Sequence, residues 1–188
     1  LIAEFVDDEG TNEAMQEFVN PLADLGDKVT KLTTDQVQAI QTLDLQQLTT
    51  AQLVTLTSVQ VPALTTAQVV ALTTAQAEAL TTAQVNKLTT AQVAAIETAD
   101  LAQLSTAQVQ ALSNASVAAM STAQVAALTT AQAANLGTEQ VAALTATQIK
   151  AIETADLSKL STAQVAAINN LAVAALTTAQ VSALTSAQ

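Results

Sequence analysis

The sequence predicts an all-α solenoid of short helical turns, one for every eight residues, behind a small helical N-terminal cap. Three observations predict it. Residues 33–184 divide without a gap into 19 octads. Each octad carries a helix-start signature between two fixed apolar positions. Nothing in the octad alternates with the period of a half-buried strand.

Position 8 is Leu, Ile or Met in all 19 octads, and position 5 is Val, Leu, Ile or Ala in all 19. Position 1 is Thr or Ser in 14, and position 4 is Gln or Asp in 17. A Thr or Ser followed three residues later by Gln forms a capping box. The hydroxyl accepts from the backbone N–H at N3, and the Gln side chain reaches back to the N-cap N–H. The apolar residue before the cap then packs on the one at N4. In Leu88-Thr89-Thr90-Ala91-Gln92-Val93 that pair is Leu88 and Val93.

One continuous helix does not fit this period. Eight residues advance a helix by two turns plus roughly 80°, so an apolar stripe would wind around the axis and never stay buried. A β-solenoid is the alternative fold. Thr and Val favour strands, but Ala, Gln and Leu favour helix, and a β-solenoid wants Gly or Asn at its corners. The octads hold one glycine, Gly137. A helical turn of roughly five to seven residues with a sharp bend between octads therefore fits best. Pro62, at position 6, removes a backbone donor and fits worst. Isolated helices this short are marginal, so the octads must stack. The expected spine includes Leu88, Val93, Ile96, Leu101, Leu104 and Val109.

A longer period lies inside the short one. Gln41-Thr42-Leu43-Asp44-Leu45, Glu97-Thr98-Ala99-Asp100-Leu101 and Glu153-Thr154-Ala155-Asp156-Leu157 depart from the consensus alike, 56 residues apart. Ala77 and Ala133 at position 5 repeat the spacing. The blocks are 41–96, 97–152 and an incomplete 153–188. Tandem duplication of seven octads accounts for this. So does a coil that closes a whole number of turns every seven octads. In the second case Asp44, Asp100 and Asp156 form a regular acidic row, a contact surface for successive neighbours.

Residues 1–31 form an acidic head, and residues 32–188 form the solenoid. The head holds both aromatics, Phe5 and Phe18, and a net charge of −6 from eight acids and the bases Lys28 and Lys31. Residues 1–6 and 14–19 look amphipathic and helical. Asn20 caps a short helix with Pro21 at N1 and Gly26 at its end, and Asp27 can cap the next turn. Phe5, Met15 and Phe18 are expected to cover the first face of the array, as solenoid caps do. A remnant of a preceding domain is the other reading.

Composition limits the chemistry. The chain has no Cys, His, Trp, Tyr or Arg. Disulfides and thiolate metal sites are excluded, and the usual general base and commonest metal ligand are missing. No two carboxylates are spaced for acid–base catalysis. No cofactor is expected, and neither a catalytic nor a metal site is assigned. Asp7-Asp8-Glu9-Gly10-Thr11-Asn12-Glu13 could attract calcium but lacks the EF-hand spacing and reads as a solvated charge run. A net charge of −11 with only five Lys argues against nucleic acid and anionic membranes. No apolar run reaches transmembrane length, and no signal peptide is visible at Leu1. The missing initiator Met and the mid-octad stop at Gln188 suggest a segment of something longer.

The run Leu-Thr-Thr-Ala-Gln-Val-Ala-Ala at 88–95 resembles octapeptide-repeat regions of very large secreted surface or adhesin-like proteins of Gram-negative bacteria. The likeness covers residues 32–188. It implies an extracellular or cell-surface structural role, with self-association or other surface proteins as partners. Residues 32–40 are also similar to the first helix of the plant-pathogen effector repeats that read DNA. Those repeats are about four times longer, basic, and carry a base-reading loop that is missing here, so a DNA role is set aside.

The expected function is thus a structural repeat protein: a filament, a surface-layer element or an adhesin stalk. The alternative is a binding module that uses a Thr-lined face, built from pairs such as Thr65-Thr66 and Thr73-Thr74, for ice, carbohydrate or a repetitive protein partner. An enzyme is not expected.

Overall fold

The computed structural model describes residues 26–188. The proposed cap residues Phe5, Met15 and Phe18, the Asn20–Pro21 helix start and the acidic run at 7–13 lie outside that range. Among the described residues there is no strand, and the fold is a helical solenoid. Every octad from 33 to 184 except 57–64 holds an α-helix of four to six residues beginning at position 2.

Thr90–Ala95 shows how an octad is built. Thr89 is the N-cap, in extended conformation at φ −70° and ψ 161°. The Val93 N–H donates to the Thr89 carbonyl at 3.0 Å and closes one α-turn. The Ile96 N–H then donates to the Val93 carbonyl at 3.2 Å, a tighter closing turn. Ile96 itself lies at φ −60° and ψ 131°. The chain thus passes through two extended residues, position 8 and the next position 1, between helices. This makes the bend without any left-handed residue, and no described residue has a positive φ. That is why the octads need no glycine at their corners.

Pro62 alters its octad as its chemistry requires. With no N–H at position 6 to donate to Ser58, the α-helix is replaced by a 3-10 turn at Val61–Ala63. The octad keeps its place in the stack, with Val61 fully buried.

Burial follows the octad. From octad 49–56 to octad 153–160, positions 1 to 3 are almost all exposed, 4 and 5 are buried, 6 and 7 are mostly exposed or intermediate, and 8 is buried. At the ends of the array the pattern loosens, with Asp44, Val173 and Val181 exposed. Leu88, Val93, Ile96, Leu101, Leu104 and Val109 all lie in one continuous core cluster. Helices three octads apart pack against each other. Position-4 side chains reach back 28 and 31 residues, as from Gln68 to Ile40 and Val37. Position-6 amides reach 25 residues forward, as from Gln46 to Ala71 and Asn86 to Ala111. Each octad therefore straddles two octads of the turn before it, like staggered brickwork. Contacts to the octads three and four before it set a turn of between three and four octads.

Two boundary expectations change. Gly26, expected to end a helix, is itself helical in Gly26–Val29. The division at residue 31 also falls too late. Val29 is fully buried, and Gln60 donates to the carbonyls of Val29 and Leu32 at 2.8 and 2.7 Å. Residues 26–32 thus stand in octad register, hidden from the sequence pattern because Lys28 stands in the place of the glutamine.

The cap register makes two predictions. Thr89→Ala should cost roughly 0.5–2 kcal/mol while Thr90→Ala changes little, measured by urea unfolding; equal costs would refute the register. Gly137 is an N-cap at φ −65° and ψ 151°, and an added Cβ would meet only Gln140 side-chain atoms, at 3.6 Å or more. Gly137→Ser should therefore raise stability by roughly 0.5–1 kcal/mol.

Candidate functional site: the buried amide lattice

The most regular chemistry in the molecule is at position 4. Gln92 is 2% exposed. Its Oε1 accepts from the Thr89 N–H at 2.8 Å, and its own N–H donates to Thr89 Oγ1 at 3.2 Å. This is the expected capping box. Its Nε2 donates to the carbonyls of Val61 and Leu64, 2.9 and 2.6 Å away in the preceding turn. Those are positions 5 and 8 of an octad, carbonyls at the end of a short helix where intrahelical partners run out. One carboxamide thus caps the start of its own helix and the end of another.

The same pair of bonds recurs at Gln68, Gln76, Gln124, Gln140 and Gln148. Gln180 and Gln188 carry it into the last turn, onto Ile149 and Ile152 and onto Leu157 and Leu160. Sequence reasoning gave glutamine only its box role. A signal was present: position 4 is Gln in 14 octads and never Glu. A capping box accepts either residue, but only the amide has a donor.

The exceptions obey the same rule. Position 4 is Ala172 in octad 169–176, and there Asn169 at position 1 takes over. Its Oδ1 accepts from the Ala172 N–H at 2.9 Å, and its Nδ2 donates to the Leu144 carbonyl at 2.9 Å. Ser116 turns instead to Ser113, with the hydroxyl oxygens 2.8 Å apart.

The acidic row needs correction. Asp44 is exposed, but Asp100 and Asp156 are 6% and 5% exposed. Position 4 points into the preceding turn, so these two carboxylates cannot meet a neighbouring molecule. The Thr130 hydroxyl donates to Asp156 Oδ1 at 2.6 Å. Asp100 lines a cavity of about 20 Å³ together with Val69, Leu72 and Ala77. Among the described residues, no three His, Cys, Asp or Glu side chains come together. No described helix is long and apolar enough to cross a membrane.

The family model for the ALTTAQ repeat matches residues 37–74, 63–90, 93–130 and 149–186, together more than half of the chain. No curated protein and no solved structure matches it.

Gln92→Ala should cost roughly 1–3 kcal/mol, since it orphans buried carbonyls. Gln92→Glu should cost no less, because it keeps the box acceptor but sets a carboxylate over two carbonyls. Asn169→Ser should keep the cap yet lose roughly 0.5–1.5 kcal/mol, regained on adding Ala172→Gln. Thermal and urea unfolding would check all three. A tolerated Gln92→Glu would show that the amide donor is dispensable.

Proposed function

The chain belongs to the ALTTAQ repeat family, and from that premise we propose a structural role: an extracellular or cell-surface element, as a filament body, surface-layer component or adhesin stalk. The observation that carries this reading is the amide lattice. It repeats at 28- and 31-residue spacing from Gln60 to Gln188. The interior is devoted to holding turn upon turn at fixed register, which is what a spacer or strut requires. Assembly with further copies or with other surface proteins supplies its partners.

The exposed Thr pairs favour this reading over a flat binding face. Thr65, Thr66, Thr73 and Thr74 are all exposed. However, Thr-Thr pairs open only eight of the 19 octads, and those that follow one another, as at 65, 73, 81 and 89, go around the coil, with three to four octads to a turn. The hydroxyls are therefore spread around the perimeter and not collected on one plane.

Electron microscopy of the natively purified chain across a concentration series tests the proposal. Slender fibres of uniform width that lengthen with concentration are expected for a filament. Rods of one fixed length would replace the filament by a stalk. Compact globular particles at every concentration would sink the structural reading altogether.

A further inference from the structure

The amide lattice is not uniform along the array. Gln68, Gln76, Gln84 and Gln92 each reach two carbonyls of the octads before residue 65. Gln124, Gln132, Gln140 and Gln148 do the same for the octads before residue 121. The octads between, at 97–120, carry Asp100, Gln108 and Ser116 at position 4. An ionised aspartate has no donor, and the Ser116 hydroxyl is paired with that of Ser113. By the register of Gln68, these two residues stand where amides would meet the carbonyls of Val69, Leu72, Val85 and Leu88. Gln108 alone of the three reaches back, to Glu78 and Leu80 at 2.9 and 2.6 Å.

The consequence is a thin seam. Parting the array at residue 65 or at residue 121 breaks the bonds of four position-4 glutamines, whereas parting it at residue 97 breaks those of Gln108 and Gln124 alone. Each of the three cuts also breaks one position-6 bond, from Gln46, Gln110 and Asn86 respectively. Packing is incomplete at the same place. The apolar cavity of about 20 Å³ lies within the seam, with Val69, Leu72 and Ala77 on one side and Leu104 on the other, and its walls forgo dispersion contacts. The helices on either side still pack, so the seam is closed at rest. The pattern begins again 56 residues on. There Gln164 bonds Ala134 and Leu136 at 3.2 and 2.7 Å, with Ala133 at 3.5 Å. Asn169 supplies a further amide to Leu144, so the seam at 97 is the more thinly bonded of the two.

In a repeat array, stability is a sum of repeat terms and neighbour-interface terms, so a cooperative unit ends where an interface is weak. We propose that the seam at residue 97 is a yield joint: under tension the array parts there into two cooperative units, residues 26–96 and 97–188, instead of unravelling turn by turn from an end. A strut or stalk under load would then give at one fixed place, a use that rests on the structural role proposed above.

Single-molecule pulling of the full chain, held at both ends, tests this. The wild type should lengthen in two events that release residues 97–188 and 26–96 separately. Asp100→Gln/Ser116→Gln restores the consensus amides. It should abolish the division at 97 and slow the first opening roughly 10- to 100-fold at equal force. Gln132→Ser/Gln148→Ser thins a full seam and should add a division at 121, a check that holds even if the first variant folds poorly. Turn-by-turn unravelling of the wild type would overturn the proposal. So would a division at 97 that survives in the first variant, or no new division in the second. Assembly plays no part in the measurement, so any of these failures leaves the structural role standing.

Discussion

The fold depends on one carboxamide per octad that serves two helices. A helix of four to six residues leaves almost all of its backbone groups without intrahelical partners, and alone it does not persist. The position-4 glutamine meets that deficit at both ends. Its oxygen takes an N–H at the start of its own helix, and its nitrogen covers carbonyls at the end of a helix one turn back, as Gln132 does for Leu101 and Leu104. Because the group is buried between turns, these bonds form in low dielectric and leave few orphans. No buried side-chain polar atom among the described residues lacks a partner.

The amide also sets the stagger. A donor that must reach positions 5 and 8 of the octad four before its own has to sit over the end of that helix, while helices three octads apart pack against each other. This holds the turn between three and four octads. Asn169 shows that the requirement is for an amide at that place rather than for a particular position in the sequence.

The cap, the bend and the spine were legible because they are local. Thr89, Gln92 and Leu88 to Ile96 lie within one octad and its neighbour, where capping chemistry and apolar spacing speak directly. What was not legible acts across 25 to 31 residues. The second role of Gln92, the burial of Asp100 and the octad register of residues 26–32 are all settled by the adjacent turn. Asp44 and Asp100 occupy the same place in nearly identical octads, yet one is exposed and the other buried. No local pattern separates them. The absence of Glu from position 4 was the one local trace of a non-local demand.

That demand has a consequence for folding. Every inter-turn contact closes a loop of nearly the same length, whatever the number of octads. The entropy of each closure is therefore constant along the chain. Folding proceeds by adding turns to turns already formed, and the separation between contacting residues does not grow with the array. The same uniformity makes each turn depend on its neighbour. A single octad cannot meet its backbone demands, and a single lost amide weakens two helices at once. A chain built this way can be lengthened without becoming harder to fold, and it resists only as well as its weakest turn.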